Sequence, residues 1–313
     1  MNAVTDSPVL PLLSEQRTNA PFFIVGAQRS GTTMLRLMLN RHPQLSIPFE
    51  SGFILPFFRR LHQYGDLSQP GHARHLLSDI STYWPVADWG RWIKDPEAIL
   101  SCPIGGYADL VHAIFQTHAR AQGKTIWGDK TPGQEADLHI LWKLFPGCRI
   151  IHLVRDGRDV AQSNRRVSWG IHSLPRAASD WRWKVTLGHK IGSVLGMCYR
   201  EIKYEDLVQR PESTLREICS FLGVAYDGSM LAYHESARQE MPDGTLVWHG
   251  NSVRPPDPSL VYAWKRSMSR SDRIIFEQIA GDALDLLGYE RERLTGTLGS
   301  RLKNLYYANV QRW

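Results

Sequence analysis

The chain has 313 residues, with 37 basic and 31 acidic side chains, a net charge of +6, 42% hydrophobic and 22% charged residues. These are globular values that exclude overall disorder, and the length suffices to bury a core without staples. No dense Lys/Arg block points to nucleic acid, though the mild excess suits a polyanionic small molecule, and no apolar run approaches the roughly 18 residues of a membrane span. Cys102, Cys148, Cys198 and Cys219 have no paired spacing, which excludes a disulfide framework or zinc knuckle and favours a reducing compartment.

The opening MNAVTDSPVLPLLSEQRTNA lacks a basic n-region and a long h-region, so it reads as an extended tail over 1–20 in a soluble, cytoplasmic protein. Phe22 to Val25 is a short apolar run before Gly26 and predicts a buried strand. A helix follows over Thr32 to Asn40, then a second short strand at Leu45 to Ile47. Tyr107, Val111, Ile114, Phe115 and His118 have helical spacing closed by Gly123. Thr125 to Trp127 predicts a third strand, and Leu138 to Phe145 a helix broken by Pro146-Gly147.

Arg149 to Val154 is the clearest buried strand, leading through a polar turn, Arg155 to Asp159, into a helix. Tyr199 to Tyr204 is a fifth strand; helices carrying Leu215 to Leu222 and Ile275 to Leu287 follow. Alternating strands and helices imply an α/β fold, a P-loop-type parallel sheet flanked by helices, with a helical insertion at about 55–122. The expected organisation is one domain over 21–295 and a C-terminal helical extension over 296–313. Of the 11 tryptophans, the groups Trp84, Trp89, Trp92 and Trp181, Trp183 suit either a lined pocket or plain packing, with packing the expectation for most.

In such a sheet ligands bind beyond the carboxyl ends of the strands. There the first strand is followed by Gly26-Ala27-Gln28-Arg29-Ser30-Gly31-Thr32-Thr33, the spacing of a phosphate-cradling loop between strand and helix. Thr32 stands where a nucleotidase carries lysine, so the cradle fits a phosphate-like group but lacks the point charge of ATP or GTP chemistry. The plainer alternative is a glycine turn packing helix on strand.

The stretch GAQRSGTTML, followed by Arg41-His42-Pro43, resembles the 5′-phosphosulfate loop of sulfotransferases that use 3′-phosphoadenosine 5′-phosphosulfate (PAPS). LVRDGRDVAQS resembles that family's 3′-phosphate motif, with Arg155 and Ser163 eight residues apart, and Lys203-Tyr204-Glu205-Asp206-Leu207 its later strand-to-helix junction. The three occur in family order from Phe22 to Leu207 and are most similar to the bacterial and tyrosylprotein branch, whose loop reads Arg-Ser-Gly-Thr-Thr.

The resemblance implies PAPS as donor and adenosine 3′,5′-bisphosphate (PAP) as product. Gln28, Arg29, Ser30, Gly31, Thr32 and Thr33 would hold the 5′ side. Arg155 and Ser163 would read the 3′-phosphate, with Tyr204 beside it; the alternative for Arg155 is a local ion pair with Asp156. Transfer relies on positioning and electrostatics. Glu50 is the expected base, because it follows the second strand and its distance from Arg29 matches the glutamate of tyrosylprotein sulfotransferases. A solvated loop carboxylate is its bland reading. Lys130, in WGDKTP, would stabilise the bridging oxygen or be an ordinary exposed lysine, and Arg29 joins Glu50 and Lys130 in the catalytic set.

Lys265 and Arg266, after Trp264, resemble the basic motif that closes over the nucleotide. Met34 departs from the cytosolic branch, which has tryptophan against adenine. No metal is expected: among 12 histidines, His72 and His75 form no ligand set. The competing readings are a P-loop kinase or nucleotidase with a degenerate loop, and a non-catalytic anion- or glycan-binding protein. The acceptor is a hydroxyl on a small molecule, glycan, lipid or peptide, and a homo-oligomer stays open.

Overall fold

Five parallel strands form the centre of the protein, here in a computed structural model that describes residues 20–83, 93, 95–242 and 244–292. They are β1 (Phe22–Val25), β2 (Leu45–Ser46), β3 (Ile126–Lys130), β4 (Arg149–Val154) and β5 (Tyr199–Lys203), in the order β2-β3-β1-β4-β5. Register pairs Phe22 with Gly128 and Arg149, and Val154 with Lys203. All four residues of β1 are buried, as expected for a central strand covered on both faces.

Side chains alternate across the sheet. Phe22, Ile24, Ile151 and Leu153 pack with helix α1 (Thr32–Asn40), while Phe23, Val25, Trp127 and Ile150 meet the opposite helical layer. Between β2 and β3 lie helices Ile54–Arg59, Pro70–Thr82, Pro96–Leu100 and Tyr107–Ala121, whose apolar faces join that second layer. A third cluster gathers α2 (Gly157–Asn164), α3 (Leu174–Leu195) and the late helix α4 (Arg270–Leu286) around Trp181 and Phe276.

Besides one-residue shifts at the end of β2 and the start of β3, two strand ends differ from the sequence reading. β3 runs on through Gly128-Asp129 to Lys130, and β5 stops at Lys203, so Tyr204 opens a helix, Tyr204–Gln209. Gly128 permits the first of these: a Cβ there would lie 2.5 Å from the Phe22 ring on β1. Trp127, Trp181 and Trp264 are fully buried and Trp183 is exposed. Trp84, Trp89, Trp92 and the segment 296–313 lie outside the described residues, as does nearly all of 1–20.

Candidate active site

The carboxyl ends of β1, β3, β4 and β5 and the segment after β2 meet at a cavity of about 780 Å³. Its wall includes Gln28, Arg29, Gly31, Thr32, Thr33, Met34, Glu50, Arg155, Ser163 and Tyr204.

Two positions of the 26–33 loop hold a left-handed backbone. Arg29 sits in the left-handed region at φ 73° and Gly31 at φ 95°. For arginine this conformation stores on the order of 1–3 kcal/mol of strain. Gly31 is required twice over, since a Cβ would fall 2.5 Å from the Tyr204 ring. As N-cap of α1 it offers no capping side chain, leaving first-turn amides free to face a negative group. The Ser30 hydroxyl is buried without a hydrogen-bond partner. Buried hydroxyls normally have one; this one lies in the loop just behind the cavity wall, as Ser30 itself does not line the space. Gln28 is fixed from behind, its Oε1 accepting from Lys184 Nζ at 2.5 Å, with Asp180 2.8 Å from the same ammonium.

On one flank Glu50, part of the cavity wall, pairs with an ammonium that lies behind the wall. Lys130, fully buried at the end of β3, donates through Nζ to Glu50 Oε1 and to Thr33 Oγ1 at 3.2 Å. The ammonium also lies 4.8 Å from the Phe49 ring centre. Burial pulls the Lys130 pKa down, with Glu50 opposing. The loop bearing Glu50 is anchored next door: the Ser51 amide donates to Asp129 Oδ1 (3.3 Å), and Thr131 Oγ1 donates to Asp129 Oδ2 (2.9 Å) while accepting from the Gly52 amide (3.2 Å). Burial lifts the Asp129 pKa to about 6.

The other flank is cationic. Arg155, first residue beyond β4, lies over the Tyr204 ring at 4.2 Å and donates to the carbonyls of Arg29 (3.3 Å) and Leu260 (3.0 Å). Its Nε is buried and unpartnered. Arg29 reaches across the mouth: Nε donates to Ser163 Oγ at 3.1 Å and a terminal nitrogen to the Trp248 carbonyl at 3.0 Å, with the Trp169 ring 5.7 Å away. Burial and then the charge of Arg155 depress the Arg29 pKa. Burial raises that of Tyr204, with Arg155 opposing.

Asp156 is not the partner of Arg155. It caps α2 and receives Arg158, itself fully buried, at 3.0 and 2.8 Å; Glu277 on α4 takes the same guanidinium at 3.0 Å, and Trp264 Nε1 donates to Asp156 at 3.0 Å. The RDGRD turn thus divides its labour: Asp156 and Arg158 pin α2 to α4, leaving Arg155 to face the cavity.

Arg29, Arg155, Ser163 and Tyr204 come together, as do Glu50, Lys130 and Thr33. Lys265 and Arg266 do not join them. Lys265 pairs with Glu290 at 3.0 Å, Arg266 donates to the Ser259 carbonyl, and neither lines the cavity. Their segment contributes instead through Leu260, Ala263 and Ser267.

Residues the sequence reading passed over also line the space: Asp159, Gln162, Arg166, Trp169, Trp248 and His249. The first two share α2 with Ser163, a signal helical spacing would have supplied. Trp248 and His249 sit on a short turn-rich stretch with no such signal. His249 packs edge-on against Phe49 at 5.9 Å; burial, then Lys130 and Arg29, bring its pKa down to about 3. Among the described residues no cluster of three or more His, Cys, Asp or Glu is placed to hold a metal.

Residues 21–228 match the model of the sulfotransferase family. An uncharacterized protein of Aquifex aeolicus is 26% identical over 230 residues, covering 70% of this chain and 27% of its own length. A putative protein-tyrosine sulfotransferase of Caenorhabditis briggsae is 23% identical, with 86% of this chain and 88% of that one aligned. The chain therefore spans about a quarter of the first relative's length and most of the second's. The sulfotransferase domain of the Synechococcus PCC 7002 olefin synthase superimposes with a TM-score of 0.60 at 27% identity, covering 87% of this chain and 96% of that domain. With two thirds of its length matched by one family model and the fold shared with a solved member, the chain belongs to the sulfotransferase family.

Proposed function

We propose that this sulfotransferase moves the sulfuryl group of PAPS to an acceptor hydroxyl, with Glu50 as base. What carries the reading is the charge arrangement of a single cavity, where two arginines bound mainly to carbonyls and a serine stand across one anion cradle from a lysine-paired carboxylate. The 5′-phosphosulfate lies along the 26–33 loop, on the amides of Thr32 and Thr33 and the Ser30 hydroxyl. Arg155 and Ser163 take the 3′-phosphate through charge-assisted and hydroxyl hydrogen bonds. Arg29 shifts from Ser163 toward whichever phosphate oxygen arrives.

The acceptor oxygen attacks sulfur in line, the bond from sulfur to the 5′-phosphate oxygen breaks, and the acceptor proton passes to Glu50. Lys130, held by Thr33 at the same edge, neutralises charge growing on the departing oxygen. Thr32 in the usual lysine position speaks against nucleoside-triphosphate chemistry. A hydroxyl of peptide, lipid, glycan or smaller molecule is the acceptor; the relatives include proteins described as protein-tyrosine sulfotransferases. The same reading takes 21–295 as one catalytic unit, working in the cytoplasm. No described helix is long and apolar enough to cross a membrane.

The test is calorimetry with PAP, followed by transfer of labelled sulfuryl from PAPS onto a tyrosine peptide, a hydroxylated lipid and a sugar. Saturable PAP binding with transfer to at least one hydroxyl is expected. Absence of PAP binding, or Mg²⁺-dependent consumption of ATP in its place, would overturn it.

A further inference from the structure

Asp159 is an anomaly on the cationic flank, a carboxylate lining a cavity proposed to hold a polyanion. It is 3% exposed and lies one helical turn beyond Arg155, the two being 4.0 Å apart through Oδ2. Its Oδ1 accepts from the Trp264 amide at 2.8 Å, and the Tyr262 amide also faces the carboxylate, yet Oδ2 makes no hydrogen bond. An acceptor so placed is costly to leave unsatisfied. A phosphate oxygen cannot satisfy it, because two anions would meet. It needs an O–H or N–H from the ligand, close beside a group that occupies Arg155.

We infer that Asp159 reads the ribose 2′-hydroxyl of the donor, accepting a hydrogen bond from it at Oδ2 while Arg155 holds the vicinal 3′-phosphate. This rests on the donor reading above. The 2′-hydroxyl is the donor group on the carbon next to the phosphate-bearing one, so an adjacent cation and carboxylate on the protein match an adjacent anion and hydroxyl on the ligand. Carboxylates serve ribose hydroxyls in the same way in dinucleotide sites. The pair then selects a ribonucleotide 3′-phosphate over its deoxy counterpart, which Arg155 alone cannot do. Trp264, by fixing Oδ1, sets the direction of Oδ2.

PAP and 2′-deoxyadenosine 3′,5′-bisphosphate are titrated by calorimetry into the wild type and Asp159→Ala. On the wild type the deoxy ligand should bind about 10-fold or more weaker, the scale of a hydrogen bond to a charged group. On Asp159→Ala, which leaves no polar atom to meet the 2′-hydroxyl, the two ligands should differ by no more than about 2-fold, a coupling that a purely structural role would not produce. Equal affinities on the wild type, or the same deoxy penalty on both proteins, would overturn the assignment. If the variant fails to fold, a co-crystal structure of the wild type with PAP decides. Asp159 Oδ2 within about 3.2 Å of O2′ is expected; a wide separation overturns it. Failure of PAP itself to bind the wild type would remove the donor reading and this inference with it, an outcome distinct from equal binding of the two ligands.

Discussion

The two flanks of the cavity solve opposite problems. On the Glu50 side the protein has already neutralised itself, with a buried ammonium matched to one carboxylate and to the Thr33 hydroxyl. On the Arg155 side two guanidiniums are spent mainly on backbone carbonyls and a serine, with Asp159 4.0 Å away. A carbonyl satisfies an N–H without cancelling its charge, so this flank keeps its positive field. The contrast is one of pairing: Glu50 meets a buried ammonium at hydrogen-bond distance, whereas Arg155 meets Asp159 only at 4.0 Å.

Breaking the neutral flank should have the largest effect. Glu50→Gln is expected to lower turnover by roughly 10²–10⁴ while PAP affinity stays within about 2-fold, read by steady-state rates on an alcohol acceptor and by calorimetry. Retention of most of the turnover would take the base role from Glu50. Arg155→Ala attacks the other flank. It should weaken PAP by about 10- to 150-fold, the equivalent of roughly 1.5–3 kcal/mol. Adenosine 5′-phosphosulfate, which has no 3′-phosphate, should bind the two proteins alike. Equal losses for both ligands would place Arg155 on the 5′ side or in folding.

Away from the cavity, His152 on β4 packs against Tyr199; it is fully buried, and burial brings its pKa down to about 3. The sign follows from comparison with the ordinary value of 6.5. Between these two values the unfolded chain holds a proton that the folded one refuses, so this histidine's contribution is full above pH 6.5 and is lost as pH falls toward 3. Over that window it should give up to about 1.4 kcal/mol per pH unit. Urea unfolding of wild type and His152→Gln at pH 7 and pH 5 should therefore converge at the lower pH. A constant gap would mean that the imidazole is protonated in the folded protein. The smallest effect is expected from chelation. Because the cationic flank draws its charge from arginines, turnover in excess EDTA should stay within about 2-fold of the untreated rate. Strict Mg²⁺ dependence would show that the arginines alone do not balance the donor.

Much of the site was legible in the chain. Gly26, Gly31 and Thr33 after an apolar run, and Arg155 after another, mark strand ends from local pattern alone, and α1 runs over the residues expected of it. The polar end of β3 was not legible. Gly128-Asp129-Lys130 interrupts apolar periodicity, and it is strand only because Phe22 covers the glycine while the Ser51 amide, Thr131 and Glu50 satisfy the charges. Arg158, which reads as the exposed middle of a turn, is core because Asp156 and Glu277 close around it.

The difference is one of range. Helical and strand periods, glycine at positive φ and turn residues act over a few neighbours, so they can be read in sequence order. Which polar groups pair is settled by contacts between distant segments. Lys130 finds Glu50 across 80 residues, Arg158 finds Glu277 across 119, and Arg29 finds Ser163 across 134. Lys130 and a solvated lysine look the same in sequence until folding buries one of them beside a carboxylate, because the cost of desolvating a charge exists only in the packed interior.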